Sequence, residues 1–345
     1  MGPDEKDIGN GDETALRAYF DRERTMEYRK LGRAGVKVSP LCLGCMNFGD
    51  PTDEDESIRI IHAALDHGIN FIDTANVYNN GVSETIVGKA IKDRRDRVVL
   101  ATKVHGKMGE GPNEKGNHRY TIMEQVENSL RRLQTDHIDL YQLHRPDADT
   151  PMGEQLSALN DLIRQGKVRY IGTSTFPAWK LCESLWISDV RHYEAFVCEQ
   201  PPYSIFSRYI EKNVLPFCEE HGFGVIPWSP LAGGWLAGKY RRGQDLPEGS
   251  RGARRGWDLD DPDAQHKLDL VEELIPLAED CGASLSQFSL AWVLKNPTVT
   301  APIIWPRTMD HLEDNLGALN VQIPQEAMDK VDELVPPNTG LMGYN

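Results

Sequence analysis

Short apolar runs alternate eight times with segments of helical periodicity along most of this 345-residue chain. Such alternation is typical of strand–helix units that build a parallel sheet. Eight units predict an α/β fold closed into a (β/α)8 TIM barrel rather than an open doubly wound sheet. An open dinucleotide-binding sheet would carry GxGxxG after its first strand, whereas residues 44–49 read GCMNFG. The predicted strands are residues 41–44, 69–73, 97–102, 138–143, 168–172, 195–198, 224–228 and 299–304.

Four segments outside this repeat complete the predicted fold. Residues 26–38 are expected to form an N-terminal β-hairpin, and residues 325–335 an appended helix. Two long polar loops, 103–119 and 231–263, follow the third and seventh strands. Long loops at the C-terminal face of a barrel usually cover a ligand, so this face is expected to hold the site.

The acidic composition narrows the possible partners. A formal net charge of −15 would repel the phosphates of nucleic acids and anionic membranes, so neither partner is predicted. The sequence contains no run of about 18 apolar residues, so no transmembrane helix is predicted. Residues 1–25 are acidic and lack the apolar segment of a signal peptide. We expect them to be a flexible leader ahead of one domain at residues 26–345.

Cysteine usage bears on metal binding and on compartment. Cys42 and Cys45 have CxxC spacing, but a zinc site needs a second pair and none is present. No metal site is therefore predicted. A redox pair and two packing thiols both fit this spacing, and the apolar run around Cys42 favours packing. The six scattered cysteines favour a reducing cytoplasm. Separately, the protein is expected to be a monomer or a weak homo-oligomer.

Chemistry-bearing side chains follow three consecutive predicted strands. Asp73 ends the second strand with Tyr78 in its loop, Lys103 ends the third, and His144 ends the fourth. In a barrel these groups converge on one face. A lysine cation favours the phenolate and is expected to lower the pKa of Tyr78, and a carboxylate keeps the lysine charged. The set predicts a general acid that protonates an oxyanion after hydride attack on a carbonyl. The histidine either orients that carbonyl or shares the proton relay.

Longer motifs give the chain a family resemblance that spans about residues 28–334. They read FIDTANVY, ATK, SLRRLQTDHIDLYQLHRPD, QGKVRYIGTS, PWSPLAGGWLAGKY and PRTMDHLEDNLGAL. The chain resembles the aldo-keto reductases, and more closely the branch that includes ketone reductases and potassium-channel β-subunits. The resemblance implies a (β/α)8 barrel, bound NADPH and reduction of aldehydes or ketones. It also implies that Asp73, Tyr78, Lys103 and His144 are the catalytic tetrad, with Tyr78 as the acid.

The same resemblance implies residues that bind the cofactor. Ser174, Thr175 and Gln200 fall at positions that meet the nicotinamide carboxamide, and Trp228 at the position that stacks on the nicotinamide ring. The expected pyrophosphate and adenosine contacts are Ser229, Pro230, Leu231, Gly233, Lys239, Arg307, His311, Asp314 and Asn315. Of these, Arg307 matches the base that meets the 2′-phosphate, since a guanidinium suits bidentate phosphate contacts. It stands just before a predicted helix start, where anions bind readily.

Three positions depart from the family pattern. Thr175 replaces the usual asparagine, which is expected to weaken the carboxamide contact, and Trp305 replaces a glycine that many relatives have. Asn79 and Asn80 follow the acid where a glycine-containing turn is commoner, although Gly81 comes next. None of these changes touches the predicted tetrad.

The substrate pocket is the least defined part of the prediction. Asn47, Phe48, Tyr78 and His144 are expected to contact a small-molecule carbonyl substrate, and the long loops favour a bulky cyclic, terpenoid, sugar-like or xenobiotic ketone. The arginines of residues 251–255 fit either a lid over the cofactor or a solvated surface. A second function also fits: an NADPH-binding, redox-sensing regulatory subunit similar to channel β-subunits.

Overall fold

The computed structural model describes residues 26–343. The acidic segment predicted at residues 1–25 lies outside the described residues. The described chain begins with an antiparallel hairpin of β1 (Arg29–Lys30) and β2 (Lys37–Val38), as expected. Leu31 and Val38 of this hairpin are fully buried against apolar side chains from the barrel strands. The hairpin therefore plugs the N-terminal end of the barrel.

Eight parallel strands form one sheet in which neighbours pair in chain order. The first barrel strand pairs with the last, and Thr300 N and Ile303 N donate to Val225 O (2.7 Å) and Pro227 O (2.8 Å). These bonds join the seventh and eighth strands and close the ring, which confirms the predicted barrel. The strands are β3 (Cys42–Gly44), β4 (Phe71–Asp73), β5 (Val99–Val104), β6 (Ile138–Leu143), β7 (Val168–Ser174), β8 (Cys198–Gln200), β9 (Gly224–Val225) and β10 (Ile303–Ile304).

Helices surround the strands and bury one apolar face against them. In the first helix, Ile60, Ile61 and Ala64 recur at helical spacing on the buried face, and Asp53 caps the start by accepting from Glu56 N (2.9 Å). The described helices are α1 (Glu54–Asp66), α2 (Val82–Ile91), α3 (Arg119–Leu133), α4 (Met152–Arg164), α5 (Ala178–Arg191), α6 (Val214–His221), α7 (Arg251–Arg255), α8 (Pro262–Asp280), α9 (Leu285–Lys295), α10 (Met309–Gly317) and α11 (Gln325–Leu334).

The boundaries differ from the sequence-based ones mainly in the last three units. The helix expected at residues 269–281 begins at Pro262, because Asp261 caps it and proline suits a first helical turn. The strands expected at 195–198 and 299–304 are shifted toward the C-terminal face. Strand β8 pairs through the polar Glu199 and Gln200, which follow the apolar run, and β10 uses only the last two residues of its run.

Candidate active site

Four elements bring the predicted catalytic side chains together at the C-terminal face. Asp73 ends β4, Lys103 lies near the end of β5, and His144 directly follows β6. Lys103 Nζ donates to Asp73 Oδ1 (2.5 Å) and to Tyr78 OH (3.2 Å). The His144 ring meets the Tyr78 ring edge-on, with centroids 5.6 Å apart. The predicted convergence of these four side chains is thus what the structure shows.

Asp73 is held by two glutamines as well as by Lys103. Its Oδ2 accepts from Gln142 Nε2 (3.0 Å) and from Gln200 Nε2 (3.0 Å). The sequence-based reasoning missed Gln142, although a polar residue inside the apolar run of β6 was a usable signal. Gln200, which is predicted to meet the nicotinamide, also donates from Nε2 to Gln142 Oε1 (3.2 Å) and lines the cavity beside Tyr78. These bonds fix the carboxylate that orients Lys103.

Burial and charge together set the protonation states of this cluster. Burial opposes the charge of Lys103, but Asp73 and Tyr78 outweigh it and raise the pKa of the lysine. Burial also raises the pKa of Tyr78 above its ordinary value, although the Lys103 charge acts to lower it. The expectation of a lowered tyrosine pKa is therefore wrong for this protein, because desolvation exceeds the attraction of Lys103. Tyr78 is a protonated phenol at neutral pH.

His144 stays neutral in the same environment. Its pKa is well below the usual value because it is buried and because Lys103 and Arg145 repel a second positive charge. A neutral imidazole carries one N–H and one acceptor nitrogen. It can therefore donate a hydrogen bond to a carbonyl oxygen without changing its charge.

The geometry of the turn after Tyr78 explains why asparagines stand where the family more often has a glycine-containing turn. Asn79 (φ 47°) and Asn80 (φ 53°) are both left-handed, which asparagine tolerates better than most residues. Asn79 Nδ2 donates to Phe48 O (2.7 Å) and ties this turn to the loop after β3. At Gly81 (φ 89°), a Cβ would lie only 2.7 Å from the side chain of Arg132. The two asparagines thus supply the backbone freedom that the turn requires.

Ser83 lies in the first turn of the helix that follows and does not cap it. Helix α2 begins at Val82, and the hydroxyl of Ser83 instead donates to Cys45 O (2.7 Å). The neighbouring Glu84 is fully buried, accepts from Arg132 Nε (2.6 Å), and bonds the hydroxyl of Thr102. Both side chains therefore hold α2 against the strands.

Beside the tetrad, Arg145 connects the residues expected around the nicotinamide. Its Nη1 donates to Thr175 Oγ1 (3.0 Å) and Ser174 Oγ (3.4 Å), and its guanidinium lies 5.5 Å from the Trp228 ring centroid. Trp228 Nε1 also donates to Thr175 Oγ1 (3.3 Å), and Ser174 Oγ donates to Gln200 O (2.9 Å). Sequence reasoning gave Arg145 no role, because one arginine after a strand carries no local signal.

An open cavity of about 380 Å³ adjoins the tetrad. Tyr78, His144 and Gln200 line it together with three tryptophans, three arginines, two methionines and a glycine. The indole of Trp257 in the long seventh loop is stacked on Trp235, with ring centroids 4.9 Å apart. The other lining residues are Met46, Arg145, Trp228, Gly233, Arg251, Arg255, Trp257, Trp305 and Met342.

A second cavity of about 130 Å³ continues from the first and shares Met46, Gly233, Arg251 and Trp305 with it. The indole of Trp305 lies between the two. The ring packs on Gly44 of β3, where a Cβ would lie 2.0 Å from it. Only a glycine therefore lets β3 approach the indole this closely. All nine residues expected at the pyrophosphate and adenosine line this cavity, namely Ser229, Pro230, Leu231, Gly233, Lys239, Arg307, His311, Asp314 and Asn315.

Basic side chains give this second cavity a positive charge. Burial and the nearby charges of Arg307, Arg254 and Arg251 lower the pKa of Lys239. Within residues 26–343, neither Lys239 nor Arg307 lies within ion-pair distance of a carboxylate. Helix α10 begins here, and Thr308 at its start accepts from His311 N (3.3 Å). Mutual repulsion of cations beside a helix N-terminus is typical of an anion site.

Two predicted substrate contacts lie elsewhere. The side chain of Phe48 is fully buried in the core between strands and helices, so the expectation that it contacts substrate is wrong. Asn47 lines the second cavity rather than the one beside Tyr78. The loop at residues 103–119 folds back on the barrel, with Asn117 N donating to Asp147 Oδ2 (2.8 Å), and contributes no lining residue to the cavity beside Tyr78. Met46, Trp257 and Met342 take these places.

Cys42 and Cys45 are free and fully buried, and burial raises the pKa of both thiols well above the usual value. This agrees with packing rather than redox exchange. In the described part of the chain, no three His, Cys, Asp or Glu side chains are grouped to ligate a metal. None of the helices in residues 26–343 combines the length and apolar character needed to span a bilayer.

A sequence profile of the aldo/keto reductase family matches residues 40–336. The chain belongs to the aldo/keto reductase family. It is 43% identical over 322 residues to the uncharacterised oxidoreductase YrpG of Bacillus subtilis, covering 90% of this chain and 96% of that one. It is 36% identical over 324 residues to a probable voltage-gated potassium channel subunit beta of Arabidopsis thaliana, covering 90% and 97%.

A third relative of this aldo/keto reductase carries a named activity. Versiconal hemiacetal acetate reductase of Aspergillus parasiticus is 33% identical over 338 residues, covering 90% of this chain and 98% of that one. Membership in the aldo/keto reductase family supports nicotinamide-dependent carbonyl reduction as the general activity. Because the relatives include channel β-subunits as well as reductases, the role of this chain has to be argued from its site.

Proposed function

We propose that this protein reduces a ring-bearing aldehyde or ketone to an alcohol with NADPH, using Tyr78 as the general acid. One observation carries the proposal: Tyr78 faces an open cavity while Lys103 Nζ lies 3.2 Å from its hydroxyl and 2.5 Å from Asp73. A purely structural ion pair would not need a phenol at a cavity wall. The arrangement supports delivery of one proton to a substrate oxygen.

The residues of the second cavity fit NADPH. Bound there, the cofactor would supply the hydride that reduces the carbonyl carbon. Arg307, Lys239 and Arg254 form a cluster of positive charge that an additional phosphate would neutralise. Preference for NADPH over NADH rests on this cluster, because NADH lacks the 2′-phosphate.

Tyr78 donates the proton, and Lys103 stabilises the charge that the transfer leaves behind. The raised pKa of Tyr78 keeps its proton in place until a substrate oxygen becomes basic. Lys103, whose raised pKa keeps it charged, stabilises the phenolate that remains after the transfer. Asp73 and its two glutamines hold the lysine in position.

His144 and the cavity walls orient the substrate. Because His144 is neutral, its N–H can bind the carbonyl oxygen alongside the Tyr78 hydroxyl. The aromatic walls formed by Trp228, Trp257 and Trp305 favour a flat or cyclic substrate. This supports the class of bulky cyclic, terpenoid, sugar-like or xenobiotic ketones proposed for this pocket.

A turnover screen tests this function. The purified protein is mixed with NADPH or NADH and a panel of cyclic and aromatic aldehydes and ketones, and cofactor absorbance is followed. We expect oxidation of NADPH with at least one ring-bearing carbonyl, and slower oxidation with NADH. Absence of carbonyl-dependent oxidation across the panel would contradict the proposal.

A regulatory role is the second candidate, supported by the similarity to probable potassium-channel β-subunits. In that case the protein would bind NADPH and report its redox state without appreciable turnover. The same screen separates the two functions, since tight NADPH binding without carbonyl reduction would favour regulation. The assembled tetrad supports the enzyme.

The compartment, domain organisation and oligomeric state of the protein are also proposals. All six cysteines are free, which supports a reducing cytoplasm. A leader at residues 1–25 before one barrel domain, and a monomer or weak homo-oligomer, remain proposals. Size-exclusion chromatography with light scattering would measure the oligomeric state.

A further inference from the structure

We propose that Arg145 binds a carboxylate on the substrate, so that the preferred substrates are ring-bearing aldehydes or ketones that also carry an acidic group. This inference rests on the proposed carbonyl reduction and names the substrate class of the same cavity. It draws on three features of Arg145: its hydrogen bonds, its missing counter-charge and its place in the cavity wall.

The hydrogen bonds of Arg145 lock one edge of the guanidinium and leave the other open. Nη1 donates to His144 O (2.8 Å), Thr175 Oγ1 (3.0 Å) and Ser174 Oγ (3.4 Å). Across residues 26–343, Nη2 and Nε have no hydrogen-bond partner. Nε and Nη2 form the edge that accepts a carboxylate in bidentate geometry. The group is therefore held in place with its carboxylate-binding edge unoccupied by protein.

Arg145 also lacks a compensating charge. It is half-buried, and within the described residues no carboxylate lies at ion-pair distance. Glu199 is close enough to act on the pKa of Arg145, but burial raises the pKa of Glu199 itself to about 8, so it is mostly protonated at neutral pH. Burying an unpaired charge is unfavourable, and a bound anion would relieve that cost.

The rest of the cavity has the same electrostatic character. Its other charged lining residues are Arg251 and Arg255, and no aspartate or glutamate lines it. This stands out in a chain whose net charge is −15. The absence of acidic groups from the walls favours an anionic substrate over a cationic or purely apolar one.

Arg145 lines the same cavity as Tyr78 and His144, and its charge acts to lower the pKa of Tyr78. A substrate carboxylate on Arg145 would place the carbonyl oxygen toward the two proton-bearing groups. The arginine would then act as a specificity residue that fixes which end of the substrate reacts. A contact between Arg145 and the nicotinamide carboxamide is the competing assignment, yet a neutral amide would leave the charge uncompensated.

The test compares matched acids and esters. The ortho, meta and para carboxybenzaldehydes are assayed with NADPH against their methyl esters, which lack the charge. We expect wild-type kcat/KM to favour at least one acid over its ester by about ten- to hundredfold, the range for a charged hydrogen bond. In Arg145→Met that ratio falls toward one, chiefly through KM, and Arg145→Lys restores part of it.

The control variant is Arg164→Met, which removes an exposed arginine from the last turn of α4. It should keep the wild-type ratio of acid to ester. As a measurement independent of turnover, benzoate and benzamide are each titrated into a mixture of the protein and NADP+. Tryptophan fluorescence reports the dissociation constant of each ligand. Benzoate should bind more tightly, and Arg145→Met should remove that preference.

Three results would overturn the inference. One is an equal kcat/KM for acids and esters in the wild type, and another is an acid preference that survives in Arg145→Met. The third is an equal loss for acid and ester in Arg145→Met together with weaker NADPH binding, which would assign Arg145 to the carboxamide. Failure of the proposed function looks different: no aldehyde is reduced, while benzoate binding still reports on Arg145.

Discussion

At the scale of single residues, Thr175 is the position where local conformation and site chemistry conflict. Its φ is 62°, in the left-handed region that β-branched residues rarely adopt. Its hydroxyl nevertheless accepts from both Arg145 and Trp228, which orders one side of the cavity. Strained backbone of this kind is found at functional sites where neighbouring contacts hold it. Asparagine, usual at this position in the family, tolerates the conformation better.

We predict that Thr175→Asn raises the free energy of unfolding by about 1 kcal/mol, because it relieves the left-handed strain. Thr175→Val is the matched control, since it keeps the branched side chain and loses only the hydroxyl. It should lower stability. Chemical denaturation of the three proteins measures the order, and an asparagine variant less stable than wild type would contradict this account.

At the scale of elements, a buried carboxylate joins two helices to one strand. Glu84 of α2 is fully buried and contacts Thr102 of β5 and Arg132 of α3. The arginine is the only cation in ion-pair contact with it among the described residues. The contact fixes α2, which follows directly from the Tyr78 turn, so it indirectly positions the acid.

We predict that Arg132→Leu lowers the free energy of unfolding by about 3 kcal/mol, because it leaves the Glu84 carboxylate buried and unpaired. Arg131→Leu on the exposed face of the same helix is the control. Among the described residues its side chain donates hydrogen bonds only to Asn128 Oδ1 and the Glu127 carbonyl, so Arg131→Leu should change stability by less than about 0.5 kcal/mol. Urea denaturation of both variants decides, and equal effects would contradict a special role for this pair.

At the scale of the whole molecule, the barrel was predictable because its periodicity is repeated. Strand β6 matches its predicted bounds at both ends, since four of its six residues are apolar and a polar histidine follows directly. The bounds of β8 and β10 were missed because only two or three residues pair there. Which residues of an apolar run pair depends on neighbouring strands, and a single sequence does not show this.

The site was predictable where topology alone determines it. Residues that end consecutive barrel strands must meet, so Asp73, Lys103 and His144 followed from the alternation of elements. Contacts that depend on side-chain direction were missed. Gln142 supports Asp73 from within a strand, and Phe48 turns into the core although its neighbours line the cleft. The net pKa of Tyr78 was also missed, because the balance of burial and charge depends on packing.

The measurement that tests the central claim most directly is carbonyl turnover by Tyr78→Phe. This change removes one hydroxyl and leaves the ring that His144 contacts. Tyr120→Phe, at a residue whose side chain is exposed, is the matched control. We predict that Tyr78→Phe lowers kcat by about 10²- to 10⁴-fold, the contribution of a positioned general acid, while NADPH binding persists and Tyr120→Phe retains wild-type turnover. Wild-type kcat in Tyr78→Phe would contradict the assignment of the acid and, with it, the proposed mechanism.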